Sequence, residues 1–384
     1  MNKRVLIILL TFSTLLCSCI EEYYPEDDNN NRKIVIEGIL NDIAGRQTVN
    51  ISYSSSIAQP EFTPFTGCLV EVYDAQNNVF QYDERSDGRY TRDFSEDEIT
   101  AGNSYILRVL SPNGDEYLSD YVVMNSSKPV DSIYYIEEDV FSFGSEYNYE
   151  GVQFYADIRQ AGDSAEYYAF QILETWETYT PLNIQYVYDS LKIIPVYDYL
   201  AGRNHCWLNN RVEQVFVAAT TDQVDGISKN NSLHFVDNYS SRLKYKYSIL
   251  VYQLSINRDA YDYYSALNSQ SFGSVGIYET QPRQIKGNIY NVSGGDEVLG
   301  FFMVGAASKK RVFVDGNFDF YFYDYTSCTE TEANIRAFKD MASLWPIYLS
   351  YYNSERHAYG YAQKSCFDCT YKGGELTRPD FWNE

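Results

Sequence analysis

Hydrophobic and polar residues alternate with a period of two along much of this chain, which places one set on the buried face of a strand. Ile34 and Ile36 alternate with Lys33, Val35 and Glu37, and Val49, Ile51 and Tyr53 alternate with Asn50 and Ser52. Val70 and Val72 alternate with Leu69, Glu71 and Tyr73, and Tyr105, Leu107 and Val109 with Ile106 and Arg108. Turn chemistry separates these runs. Asp87-Gly88 and Asn113-Gly114 are good hairpin pairs because Gly and Asn tolerate positive φ; Asn77-Asn78 is a weaker one. About six or seven short strands over roughly ninety residues predict an immunoglobulin-like or transthyretin-like β-sandwich. It runs from Lys33 to about Met124, and Asn125 to Val130 reads as a linker.

The second half is also rich in aromatic and β-branched residues. Strands are predicted at Val152–Ile158, Tyr167–Glu174, Val212–Ala218, Lys244–Gln253, Lys286–Tyr290, Leu299–Val304 and Arg311–Val314. Ile256, Ala260, Tyr264 and Leu267 recur at helical spacing. A second helix is predicted after Thr329-Glu330-Thr331-Glu332, read as a capping box, with Ala333, Ala337 and Met341 on one face and Pro346 as the stop. The expected fold class is therefore mainly β: the N-terminal sandwich, then a larger β-rich domain with two short helices.

The N-terminus has a different pattern. Lys3 and Arg4 precede a mostly apolar run from Val5 to Leu16. That run is shorter than the ~20 apolar residues of a membrane span and fits a secretory leader. Leu16-Cys17-Ser18-Cys19 then places a small residue before a cysteine, and Cys19 is the expected lipid anchor. Several acyl chains on one thiol hold a protein to a membrane far better than one chain does. Glu21, Glu22, Glu26, Asp27 and Asp28 follow, with Asn29, Asn30 and Asn31, in a stretch too polar to build a core. The expected organisation is a lipoprotein signal peptide at 1–18, an acidic tether at 19–32, the sandwich at 33–127 and the C-terminal domain at 128–384.

The formal net charge is -23 in 384 residues; losing Lys3 and Arg4 with the leader makes it -23 - 2 = -25. Nucleic-acid binding needs Lys and Arg against phosphate, so such a partner is not expected. Tyr 39 and Phe 21 supply ample surface for sizeable cores. Beyond Cys19, five cysteines remain: Cys68, Cys206, Cys328, Cys366 and Cys369. The odd number leaves one thiol over. Cys68, in phase with Val70 and Val72, is the expected free and buried one. The other four are disulfide candidates with three full pairings open, and they would pin the C-terminal tail.

Catalytic motifs are scarce. The chain has three histidines, His205, His234 and His357, and no His-Glu-x-x-His helix. It has no Gly-x-Ser-x-Gly elbow and no Gly-x-x-x-x-Gly-Lys loop. Carboxylates abound, but a glycosidase needs two at a set separation across a cleft, which sequence does not display. Cys366-Phe367-Asp368-Cys369 lacks a second pair for zinc and a βαβ setting for redox work, so the structural reading is preferred. Asp315-Gly316-Asn317-Phe318-Asp319 has alternating oxygens but no distal Glu of a calcium loop, and it reads as a turn. No enzyme activity, metal or cofactor is expected.

Several short pieces in order resemble family 4249 of the domains of unknown function, found in Bacteroidota lipoproteins. They are Lys33-Ile34-Val35-Ile36-Glu37-Gly38, the run Ala101 to Val109, Cys206-Trp207, Lys286-Gly287-Asn288-Ile289-Tyr290-Asn291 and Gly300-Phe301-Phe302. The tail adds Cys366-Phe367-Asp368-Cys369, Gly373-Gly374 and Arg378-Pro379-Asp380-Phe381-Trp382, so the resemblance spans essentially the mature chain. Cys68 and Cys328 fall outside the pattern. The resemblance implies an outer-membrane lipoprotein with no assigned activity, whose genes commonly neighbour TonB-dependent receptors. Acids just after the anchor are the mark of such lipoproteins that reach the cell surface. Asp131-Ser132-Ile133, Asp163-Ser164-Ala165 and Asp189-Ser190-Leu191 look like the O-glycosylation motif of the same bacteria. The expected role is a surface-exposed binding or accessory module, working with a TonB-dependent receptor in nutrient uptake, with a glycan or peptide as ligand. The alternatives are a structural or adhesive surface protein, and then a carboxylate-based hydrolase.

Overall fold

The structure is a computed structural model that describes residues 32–55, 61–141, 148–160, 166–196, 200, 202–221, 226–272, 285–295, 297–323, 328–353 and 358–383. The leader, Cys19, the tether apart from Arg32, Asp163-Ser164-Ala165 and His357 lie outside them.

The chain is mainly β. Its first nine strands follow in close order: β1 (Ile34–Leu40), β2 (Gly45–Tyr53), β3 (Thr63–Pro64), β4 (Leu69–Asp74), β5 (Val79–Ser86), β6 (Arg89–Phe94), β7 (Ser104–Leu110), β8 (Glu116–Ser119) and β9 (Val122–Val123). The alternation maps onto them: Ile36, Val49, Ile51, Val70, Val72, Tyr105, Leu107 and Val109 are all at most 1% exposed and share one core. Asn77, Gly88 and Gly114 take positive φ in the turns after β4, β5 and β7.

The chain then builds two sheets around a second core. β10 (Ser132–Phe141), β11 (Asn148–Arg159) and β16 (Ile227–Asp237) form one. β12 (Tyr167–Tyr179), β15 (His205–Ala219), β17 (Tyr247–Ile256) and β20 (Ala306–Val314) form the other. Val152 and Phe154 of the first sheet share a core with Phe170, Ile172, Ile249 and Val251 of the second. A small sheet near the C-terminus joins β13 (Tyr186–Asp189), β14 (Lys192–Pro195), β21 (Thr331–Glu332), β22 (Ile347–Asn353) and β23 (Ala358–Tyr361).

Two strands return from the second half to the first core. β18 (Ile289–Asn291) pairs antiparallel with β8, and β19 (Leu299–Val304) pairs parallel with β1. The sheet path is thus β18-β8-β7-β4-β5-β6-β2-β1-β19, with both ends supplied from beyond residue 128. A parallel neighbour needs a long crossover, and such a partner leaves no local mark in the sequence. Helix α1 (Arg258–Phe272) and β19 then weld the halves together. Ile39 of β1, Ala169 of β12, Leu254 of β17, Tyr264 of α1 and Met303 of β19 share a third core.

The β1–β19 contact explains two glycines in the family-like pieces. Gly300 has φ +104, and a methyl group on it would land on the Ile36 carbonyl oxygen. A methyl on Gly287 would land on the Gly300 carbonyl oxygen. Gly300→Ala should therefore destabilise the protein by at least about 2 kcal/mol, through strained φ and a backbone clash together. A urea midpoint unchanged from the parent would refute this packing.

The two predicted helices fare differently. In α1, Ala260 and Tyr264 are buried as the spacing predicts, and Asn257 Oδ1 caps the Ala260 N–H at 2.9 Å. The capping box at Thr329–Glu332 is corrected. Thr331 and Glu332 are strand β21, paired with Tyr361 and Gly360. The short helix α2 (Ile335–Phe338) starts later, and Asn334 before it makes no side-chain cap. Glu330, read as part of the box, accepts from the Ser350 hydroxyl of β22. Tertiary pairing wins because one turn of helix is marginal by itself.

Candidate functional site

A cleft of about 340 Å³ opens where the sheet of β1 and β2, the sheet of β12 and β15, and α1 meet. β1 contributes Glu37 and Ile39, β2 contributes Thr48 and Asn50, and β12 contributes Gln171. Tyr264, Leu267 and Asn268 come from α1.

The wall from β15 is shaped by a bulge. Ile172 pairs with Val212 and Phe170 with Phe216, so Glu213, Gln214 and Val215 together oppose the single Gln171. Bulges of this kind interrupt pairing and re-aim side chains. Here all three bulged residues line the cleft, with Arg211 beside them. The bulge frees the Val215 carbonyl, and the Asn268 side-chain amide of α1 donates to it at 2.9 Å. Helix and bulge are thus fixed to each other.

The electrostatics of the cleft are unbalanced. Glu37 and Glu213 both line it, and neither has a hydrogen-bond or ion-pair partner among the described residues. Both side chains are exposed, though the surrounding walls crowd the water around Glu37. That crowding first, and the charge of Glu213 second, raise the Glu37 carboxyl above its ordinary value. Burial and then the Glu37 charge push the Tyr263 hydroxyl up to about 12. Tyr264 is 7% exposed, lines the cleft and makes no hydrogen bond among the described residues; burial and then Glu37 raise its hydroxyl strongly. Arg46 at the rim is already engaged by Asp93, through two contacts of 3.1 Å. Arg211 has no such partner among the described residues.

Sequence reading missed this constellation. Glu37 was visible only as a charge within an apolar strand, and Tyr264 only as part of a helix face. The bulge that exposes Glu213 has no local signature.

A second polar cluster gathers around a buried carboxylate. Glu174 of β12 has a fully buried side chain. It accepts from Arg242 at 2.7 Å, Tyr247 at 2.7 Å, Asn210 at 2.8 Å and His234 at 3.1 Å. These groups come from β15, β16, β17 and the 3₁₀ turn Ser241–Leu243, so the carboxylate ties the second core's two sheets together. Burial opposes its charge, but the hydrogen bonds and the Arg242 and His234 charges prevail and lower its pKa to about 2.

The cysteines form two disulfides, Cys206–Cys369 and Cys328–Cys366. Each end of Cys366-Phe367-Asp368-Cys369 therefore pairs outside the motif. Asp368 is fully buried and accepts from Arg203 at 2.6 Å and from the Thr370 hydroxyl at 2.7 Å. Cys68 is free but half-buried, against the expectation of full burial. Its N–H donates to the Tyr90 hydroxyl at 2.9 Å, and burial pushes its thiol up to about 11, so it stays protonated at neutral pH. In the expected Asp315 turn, the Asn317 N–H donates to the Asp315 carbonyl at 2.8 Å. Among the described residues no group of His, Cys, Asp and Glu is arranged to hold a metal, and no helix is long and apolar enough to cross a membrane.

These observations define a β-rich protein with a polar cleft between two welded halves and a disulfide-tied tail. The chain belongs to the family described as Domain of unknown function (DUF4249), whose match covers residues 20–311. The matched span holds every residue that lines the cleft and stops short of three of the four bridged cysteines. No curated protein matches the chain.

Proposed function

We propose that this protein is a lipid-anchored binding module on the outer face of the outer membrane, acting as an accessory to a TonB-dependent receptor in nutrient uptake. The observation that carries the binding role is the cleft, where Glu37, Glu213, Arg211 and the Tyr264 hydroxyl stand unpartnered among the described residues. Unmatched polar groups in a concave site are what a ligand satisfies. The anchor and the acidic tether support the location, and the family's gene setting supports the receptor.

The experiment is affinity purification of the tagged protein from native membranes. An outer-membrane β-barrel should co-purify in near-stoichiometric amount, and Cys19→Ala should abolish both lipid labelling and that recovery. Recovery of the protein without any barrel would remove the transporter role and leave the structural or adhesive reading.

One observation also favours a hydrolase. Glu37, with a raised pKa, shares the cleft with Glu213, and paired carboxyls in different environments are how glycosidases divide acid and base work. Turnover of a glycan or peptide panel that disappears in both Glu37→Gln and Glu213→Gln would establish it.

A further inference from the structure

The groups that line the cleft fit one kind of molecule. Glu37 and Glu213 repel each other, and neither has an ion-pair partner among the described residues. A primary ammonium offers three donors and one positive charge, and between Glu37 and Glu213 it would relieve the repulsion. Arg211 supplies the opposite recognition: its planar fork matches a carboxylate with two parallel bonds. The side-chain amides of Asn50, Gln171 and Gln214 make no hydrogen bond among the described residues. Each offers a donor and an acceptor, the complement of a peptide bond. Ile39, Val212, Val215 and Leu267 give the same cleft an apolar wall for a side chain.

Resting on the reading of this cleft as a binding site, we propose that its occupant is a short peptide with free ends, its ammonium held between Glu37 and Glu213 and its carboxylate at Arg211. Tyr264, 7% exposed as a residue and without a hydrogen-bond partner among the described residues, lines the cleft, and its hydroxyl adds a hydrogen bond to the bound peptide. A volume of about 340 Å³ sits at the small end of the ~300–1,000 Å³ range of ligand pockets, which suits two or three residues. A neutral sugar leaves both carboxylates and Arg211 unmatched. A divalent cation leaves the amides and the apolar wall unused and meets Arg211 as a like charge.

The test is calorimetric titration of the full-length lipidated protein in detergent with a panel of dipeptides carrying free termini. At least one should bind saturably with Kd below about 10 mM, the weak end of specific recognition. N-acetylation of that dipeptide should weaken binding tenfold or more, as should Glu37→Gln or Glu213→Gln. Amidating its carboxylate should cost about the same in the parent and cost nothing further in Arg211→Gln. Tyr264→Phe should weaken binding several-fold without lowering the urea midpoint, because the lost hydroxyl has no partner to abandon. The proposal fails if no dipeptide binds the folded protein, if the acetylated peptide binds equally well, or if maltose or calcium occupies the cleft instead. A protein that recovers a barrel yet binds no dipeptide keeps its accessory role and loses this ligand; one that binds dipeptides without a barrel does the reverse.

Discussion

Replacing Glu174 by Gln should cost about 3–5 kcal/mol of stability, the range found when one partner of a buried ion pair is removed. The side chain has no solvent contact and takes four hydrogen bonds, from Arg242, Tyr247, Asn210 and His234. Glutamine keeps the shape but leaves the Arg242 charge without its counter-charge. It also presents an amide donor to groups that are themselves donors, so at least one is left unsatisfied. The same carboxylate gives the acid side of the stability profile its direction. Its folded pKa of about 2 lies below its ordinary value of 4.5. A depressed pKa means that the unfolded chain binds the proton more tightly. Its contribution is therefore complete above pH 5 and fades as the pH falls from about 4.5 toward 2, and the shift is worth on the order of 3 kcal/mol. Urea denaturation of parent and Glu174→Gln at pH 6 and at pH 2.5 measures this directly. The gap between them should narrow markedly at the lower pH, and a gap of constant size would show that the carboxylate's charge is not what holds the cluster.

How much of this was legible in the sequence depends on the range of the interactions involved. The strand faces of the first half were readable because alternation is a local signal: Val70 and Val72, or Tyr105 and Leu107, declare their burial within a few residues. α1 was readable for the same reason. The capping box failed because Thr331 and Glu332 answer to β23, thirty residues on, and not to their neighbours. The parallel pairing of β19 with β1 joins Ile36 to Gly300 across more than two hundred residues, and no local pattern announces it. The cleft was less legible still. It needs Glu37 from one sheet, a bulge in another and the helix between them. None of those coincidences is encoded as a pattern. Glu174 shows the same limit from the other side: a Glu inside an apolar strand reads as a surface charge until its four donors, from four separate segments, are seen together.

Opening the Cys206–Cys369 bridge should be the other large perturbation. It closes a loop of sequence separation 163, and Cys328–Cys366, separation 38, lies nested inside it. The chain-entropy argument gives about 5 kcal/mol for the outer bridge and about 4 kcal/mol for the inner one, because the cost of leaving an end free grows only with the logarithm of the loop. The outer bridge should matter more than that difference implies. Around it the tail is laid against the second sheet by contacts that need the tail in place. Trp207 and Glu375 exchange backbone hydrogen bonds of 2.9 and 2.8 Å. Trp382, 2% exposed, packs edge-on against Phe313 of β20, and Phe381 lies 3.5 Å under the Arg311 guanidinium. These contacts form one cooperative unit with the bridge as its covalent stop. Cys206→Ser should therefore expose Trp382 and speed proteolysis of the tail, whereas Cys328→Ser should loosen the small sheet and leave Trp382 covered. Limited proteolysis with tryptophan fluorescence separates the two variants. Equal exposure of Trp382 in both would mean that the tail is held by the sheet alone and that the outer disulfide is incidental to it.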